Sequence, residues 1–89
     1  MANSPSSKKR ARQNVRRMLR NRVYRSRVKT AVRRFEEALS SADAGSVDTA
    51  LRRAHKVIDK AAKRGVLHDN AAARRKSRLA RKASAAAAS

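Results

Sequence analysis

Apolar residues recur along the middle of this chain at alternating spacings of four and three: Tyr24, Val28, Ala31, Phe35, Ala38 and Ala42. That rhythm puts them on one side of an α-helix, and Val32 and Leu39 widen the stripe. Upstream the pattern thins to Val15, Met18, Leu19 and Val23, a narrow stripe among bases on every side. The two stretches predict one helix from about Ser7 to Ala42, on the order of 50 Å long at ~1.5 Å per residue. Ser4-Pro5 suits its start, because Pro there occupies a position that needs no amide donor; Ser7 is the other candidate cap.

A second stripe, Val47, Ala50, Leu51, Ala54, Val57, Ile58 and Ala61, predicts a helix from Val47 to Arg64. Ser46 is its expected N-cap, and Asp48 is expected in the first turn, where the helix dipole favours an anion. The i,i+4 pairs Asp48–Arg52 and Asp59–Lys63 would each add about 0.2–0.5 kcal/mol. A third helix is expected from a cap at Asp69 or Asn70 to about Ala83, with only Ala72, Leu79 and Ala83 on its apolar face. Ala85–Ala88 are expected to fray. Gly45 and Gly65 fall between the segments, each placed to end a helix in the left-handed conformation. Short connections make the neighbours antiparallel. The expected fold is all-α, a three-helix bundle with an overlong basic N-terminal helix. It forms one domain over residues 1–89: a basic arm at 1–20, a bundle at 21–83 and a frayed tail at 84–89.

Composition limits how much of this the chain can hold. Nineteen of the hydrophobic residues are Ala, leaving seventeen larger ones. Each contributes roughly 1.5–3 kcal/mol when fully buried, against roughly 1.5 kcal/mol of ordering cost per residue. The N-terminal arm is therefore expected to be the first part to lack order without a partner. Two aromatics, two Gly and one Pro leave little strand or hairpin chemistry.

Charge supplies the partner. The formal net charge is +19, and all six acids lie between Phe35 and Asp69, where six bases match them. Residues 1–34 carry thirteen bases and no acid, and residues 70–89 carry six and none. Ends built this way repel themselves and call for a polyanion. In the arm, Lys8, Lys9, Arg10, Arg12, Arg16, Arg17, Arg20, Arg22, Arg25, Arg27 and Lys29 circle the helix axis, which suits a rod lying among several phosphate strands. A disordered cationic arm with nonspecific affinity is the alternative. In the third segment Arg74, Arg78 and Arg81/Lys82 share a face, Arg75 and Lys76 flank it, and Ser77 can donate to a phosphate. Arg52 and Arg53, in the balanced middle, are expected to stay out of the interface.

Other chemistries find no support. There is no Cys, hence no disulfide and no thiolate metal site. His55 and His68, thirteen residues apart, do not make a zinc site; His68 is placed to enter the third helix or to touch RNA. Glu36 and Glu37 are adjacent and diverge by about 100° on a helix, so they cannot act as an acid/base pair. No cofactor, small-molecule substrate or catalytic residue is indicated. No run approaches the ~20 apolar residues of a membrane span, and Met-Ala-Asn-Ser-Pro lacks a signal-peptide core, so cytosolic residence is expected. Tyr24 fits the edge of the core better than base stacking, and Phe35 fits the core. A leucine zipper is disfavoured by its mixed Val, Ala and Phe register. A membrane-lytic helix is disfavoured by its lack of aromatic anchors. A nucleoid-type DNA-binding protein remains the alternative on charge alone.

Two stretches resemble the S20 family of bacterial small-subunit ribosomal proteins. One is the opening, Ala2-Asn3-Ser4-Pro5-Ser6-Ser7-Lys8-Lys9-Arg10-Ala11-Arg12. The more specific one is Gly65-Val66-Leu67-His68-Asp69-Asn70, followed by Ala71-Ala72-Ala73-Arg74-Arg75-Lys76-Ser77-Arg78-Leu79. The resemblance implies a non-enzymatic, three-helix protein of the small subunit. It would bind 16S ribosomal RNA at the 5′ domain and at the long helix near the 3′ end, as a monomer within the cytoplasmic ribosome. By the same resemblance Asn3, Lys8, Lys9, Arg10 and Arg12 are arm contacts. His68, Asn70, Arg74, Lys76, Ser77 and Arg78 are contacts around the second turn and third helix. Asp69 and Ala71 stand where the family commonly has bases, so no phosphate contact carries over there.

Overall fold

A computed structural model describes residues 5–41 and 43–88. They form three α-helices: α1 (Pro5–Ser41), α2 (Ala44–Lys63) and α3 (Asp69–Ala88). Pro5 is the first residue of α1, and the candidate cap Ser4 lies outside the described residues.

The connection from α1 to α2 corrects the sequence expectation. Asp43, not Ser46, caps α2. Its Oδ1 accepts from the Gly45 amide at 3.2 Å, and its carbonyl accepts the first helical bond from Val47 N–H at 2.9 Å. Ser46 is the third helical residue and donates its hydroxyl back to Asp43 Oδ2 at 2.7 Å. A carboxylate with two acceptor oxygens satisfies more of the orphan donors than a hydroxyl can. α2 therefore begins three residues early. Gly45 lies inside it and has no left-handed role, and Asp48 falls beyond its first turn.

Gly65 does what was expected, at φ +76°. Its amide bonds the Ala62 carbonyl at 3.0 Å, and the Val66 amide bonds the Ala61 carbonyl at 2.9 Å. These are the two bonds of a Schellman motif, and Val66 and Ala61 are both buried beside it. The cap of α3 is His68, ahead of both expected candidates. Its carbonyl accepts from Ala72 N–H at 3.0 Å, and its Nδ1 accepts from Asn70 N–H at 3.1 Å.

α2 packs against both neighbours. The core holds Val28, Ala31 and Phe35 of α1, Ala54, Ile58 and Ala61 of α2, Val66, and Ala72 and Leu79 of α3. The Ala positions let the helix axes approach closely. Phe35 and Ile58, fully buried, fill the centre. Tyr24 packs against this core from its edge, half-buried, with the Arg27 guanidinium 5.3 Å from its ring centroid. α3 continues through Ala88, past the expected end at Ala83. Ala has the highest helix propensity, and Ala83, Ala86 and Ala87 line an apolar groove with Leu39, Ala44, Val47 and Leu51.

The molecule measures 63 × 21 × 15 Å, with a radius of gyration of 17.6 Å. A compact domain of this length would have about 12 Å. The excess comes from α1, whose 37 residues span about 55 Å. α2 runs back along it for about 30 Å, which brings the Gly65 turn level with the residues just before Tyr24. Every described residue before Asn21 is exposed. The arm is thus a helix without tertiary cover. Arg, Lys, Gln, Leu, Met and Ala all have good helix propensity, which accounts for its local conformation.

Candidate nucleic-acid interface

The six acids are all engaged within the fold. Lys82 Nζ lies 3.4 Å from Glu36 Oε1, joining α3 to α1. Lys76 Nζ lies 2.7 Å from Asp59 Oδ1, joining α3 to α2. Arg33–Glu37 at 3.8 Å and Arg52–Asp48 at 3.2 Å are i,i+4 pairs. Asp69 sits in the first turn of α3, at the positive end of its dipole. Asp43 caps α2, and the Ser46 hydroxyl, then the Gly45 amide, hold its carboxyl below the ordinary value. The expected Asp59–Lys63 pair does not form, because Asp59 turns across to Lys76 instead. Only four of the twenty-five bases are paired in this way among the described residues, so positive charge dominates the outer surface.

The arm carries the densest part of it. Lys8, Lys9, Arg10, Arg12, Arg16, Arg17, Arg20 and Arg22 are all exposed, and at 100° steps they reach every side of α1. Gln13, Arg16, Arg17 and Arg20 line a shallow groove along one side. Arg25 and Arg27 are exposed at the level of the bundle. Asn3 lies outside the described residues.

The second surface begins at the Gly65 turn. His68 uses Nδ1 as acceptor for Asn70 N–H, so its proton is on Nε2, an exposed donor at the base of the arm. Asn70, Arg74, Ser77 and Arg78 are exposed and follow on the outer side of α3, with Arg75 also exposed. Lys76 departs from this group. It stands between the buried Ala72 and Leu79, half-buried, and its carbonyl accepts from His55 Nε2 at 3.3 Å while its ammonium holds Asp59. An RNA contact by Lys76 would compete with that pair.

A third basic surface was not legible in the sequence as one. On the side of the α1–α2 pair where Thr30 and Thr49 lie, two adjoining grooves share Ala31, Arg34 and Arg53; Arg27 adds to the wall of one, and Ser46 and the capping Asp43 to the wall of the other. Arg34 and Arg53 make no ion pair with any described residue. Arg27, Thr30 and Arg34 are spaced three and four apart beside the core stripe, which was the available signal. Pairing with Arg53 depends on how the helices dock.

The sequence of the chain matches that of a known family. The family described as Ribosomal protein S20 matches residues 2–84. The "Small ribosomal subunit protein bS20" of Roseiflexus sp. (strain RS-1) is 54% identical over 83 residues, which cover 92% of this chain and 89% of that relative. Proteins of the same description from Chelativorans sp. (strain BNC1) and Dinoroseobacter shibae are 51% and 46% identical over 82 and 85 residues, covering 92% and 96% of this chain and 93% and 97% of theirs.

Proposed function

Because the chain belongs to the ribosomal protein S20 family, we propose that it binds 16S ribosomal RNA directly, neutralising phosphates on RNA helices that would otherwise repel. It is a structural protein of the small ribosomal subunit and not an enzyme, and its place is the cytoplasmic ribosome. The contacts are the arm bases Lys8 to Arg27, the turn residues His68 and Asn70, and the α3 face with Arg74, Arg75, Ser77 and Arg78. The Arg34–Arg53 groove adds a further phosphate position. The 5′ domain and the long helix near the 3′ end are the RNA elements bridged, by a single copy of the chain, and the result assists subunit assembly.

The observation that carries this reading is the separation of charge. Every acid lies between Glu36 and Asp69, where it pairs with a base, caps α2 or sits in the first turn of α3, while the arm and the outer face of α3 hold bases that no acid opposes. A spacer of fixed shape between two such surfaces suits a folded RNA, in which phosphate strands from different helices lie at set distances. No exposed aromatic platform for single strands is present among the described residues, so recognition rests on phosphate placement and RNA shape. Competition between 16S RNA and duplex DNA at physiological salt tests the proposal. Preference for the RNA supports it, and equal affinity would favour a general nucleoid-type polyanion binder.

A further inference from the structure

The exposed stripe of the arm does not continue the core stripe. At about 100° per residue, Val15 and Leu19 each lie about 160° around α1 from Phe35, and Met18 and Val23 lie about 100° and 120° from it, so the strip is centred on the side of the helix away from the bundle. Val15, Met18, Leu19 and Val23 are 50%, 61%, 53% and 47% exposed. A longer α2 or α3 on the Phe35 side would still leave Val15 and Leu19 uncovered. Four large apolar side chains on one face, turned away from the chain's own core, call for an outside surface. Bases interleave with them on the same face: Lys8, Arg12, Arg16 and Arg22 fall among or beside the apolar positions, and no acid occurs before Glu36. A second copy laid face to face would oppose base to base. A polyanion with apolar surface between its charges fits both features.

We propose that Val15, Met18, Leu19 and Val23 form an apolar contact strip for duplex RNA. The strip lies against riboses in the wide, shallow minor groove, while the flanking bases reach phosphates on either side. This rests on the reading that the chain binds 16S RNA, and adds to it a component of affinity that releases no counterions. Phosphate contacts weaken steeply with salt; burial of apolar surface does not.

The test uses the full chain and 16S RNA. Affinity is measured at several salt concentrations for the unsubstituted protein, for Met18→Ser/Leu19→Ser and for Arg12→Gln/Arg16→Gln. The apolar variant is expected to bind about tenfold more weakly at every salt concentration, with the slope of log K against log salt unchanged. The basic variant is expected to flatten the slope. Unchanged affinity in the apolar variant, or a flattened slope there, would overturn the strip. If instead the unsubstituted chain shows no preference for 16S RNA over duplex DNA, or the basic variant keeps its slope, it is the underlying reading that fails. A second measurement needs no substitution: peroxide oxidation of Met18 is expected to be rapid in the free chain and slow in the complex. Equal rates would overturn the proposal, as would self-association that the apolar variant abolishes while its RNA affinity stays intact.

Discussion

Lys76 on α3 reaches Asp59 on α2 at 2.7 Å, although Lys63 stands four residues from Asp59 on its own helix. The third helix is docked by this pair, by the His55–Lys76 bond and by Lys82–Glu36. Lys76 therefore belongs to the spacer, whereas Arg74 and Arg78 belong to the outer face. Lys76→Gln is expected to lower stability by about 0.2–1 kcal/mol, the range for partly exposed pairs, and to leave the salt slope of RNA binding near that of the unsubstituted protein. Urea unfolding and salt titration of the same sample check both. A slope reduced as much as by Arg78→Gln would place Lys76 on the RNA.

Phe35→Ala should damage the bundle far more than any RNA contact. Phe35 is fully buried with Ile58 at the centre of the core, and Phe→Ala in a core costs about 3–5 kcal/mol. In a domain whose total is about 5–15 kcal/mol at best, that loss should bring the urea midpoint down sharply. Unchanged melting with weaker RNA binding would contradict the burial.

Asp43 gives the α2 cap a pH dependence. Its carboxyl titrates below the ordinary 3.8 because the Ser46 hydroxyl and then the Gly45 amide bond to the charged form. A lowered folded pKa means the stabilisation is fully present above the unfolded value and is lost as pH falls through the folded one. The melting temperature of Asp43→Ala should therefore lie below that of the unsubstituted protein at neutral pH, and the gap should close under acid conditions below about that value. Ser46→Ala should lose less, because the Gly45 amide still has its acceptor. A gap that is independent of pH would remove the carboxylate from the cap.

The helices, their order and the Gly65 turn were readable because each rests on local pattern: a stripe of period 3.6, or a glycine after the last apolar residue. Caps were less readable. Asp43, Ser46, His68 and Asp69 all carry side chains able to cap, and the choice depends on which backbone amide each one meets. Pairings across helices were less readable still. Nothing in the local spacing of Asp59 favours Lys76 over Lys63, and nothing local distinguishes Arg52, tied to Asp48, from Arg53, which meets Arg34 only once α1 and α2 dock. The two apolar stripes of α1 looked like one weak and one strong half. Their different directions follow from counting residues around the helix, which sets Val15 and Leu19 about 160° from Phe35 but Met18 and Val23 only about 100° and 120° from it.

The arm should exchange its amides faster than the bundle. Its helical bonds are covered by no other element, since every described residue up to Arg20 is exposed, and local opening costs little where few apolar contacts hold. In the free protein, fast exchange before about residue 20 and slow exchange from Val28 through Ile58 are expected, with the arm becoming protected when RNA is added. Uniform protection from Lys8 onward in the free chain would mean that the helix is stable without cover.

Salt dependence should separate the basic surfaces from one another. Arg10, Arg12 and Arg16 lie on the arm, Arg74 and Arg78 on the outer face of α3, and the bundle holds the two groups apart. Replacing either group with Gln should weaken binding and reduce the slope of log K against log salt by about 0.7–0.9 for each phosphate no longer neutralised. The two reductions should add, because the groups lie on separate helices and share no partner. Arg52→Gln is the control, since Arg52 is exposed but held by Asp48 at 3.2 Å. Arg53→Gln provides the sharper test. Arg53 is the next residue along the chain, yet it faces the groove with Arg34 and has no acid of its own among the described residues. A slope that falls for Arg53→Gln and not for Arg52→Gln would assign the α1–α2 groove to a phosphate strand. Equal slopes for both would confine the RNA to the arm and α3.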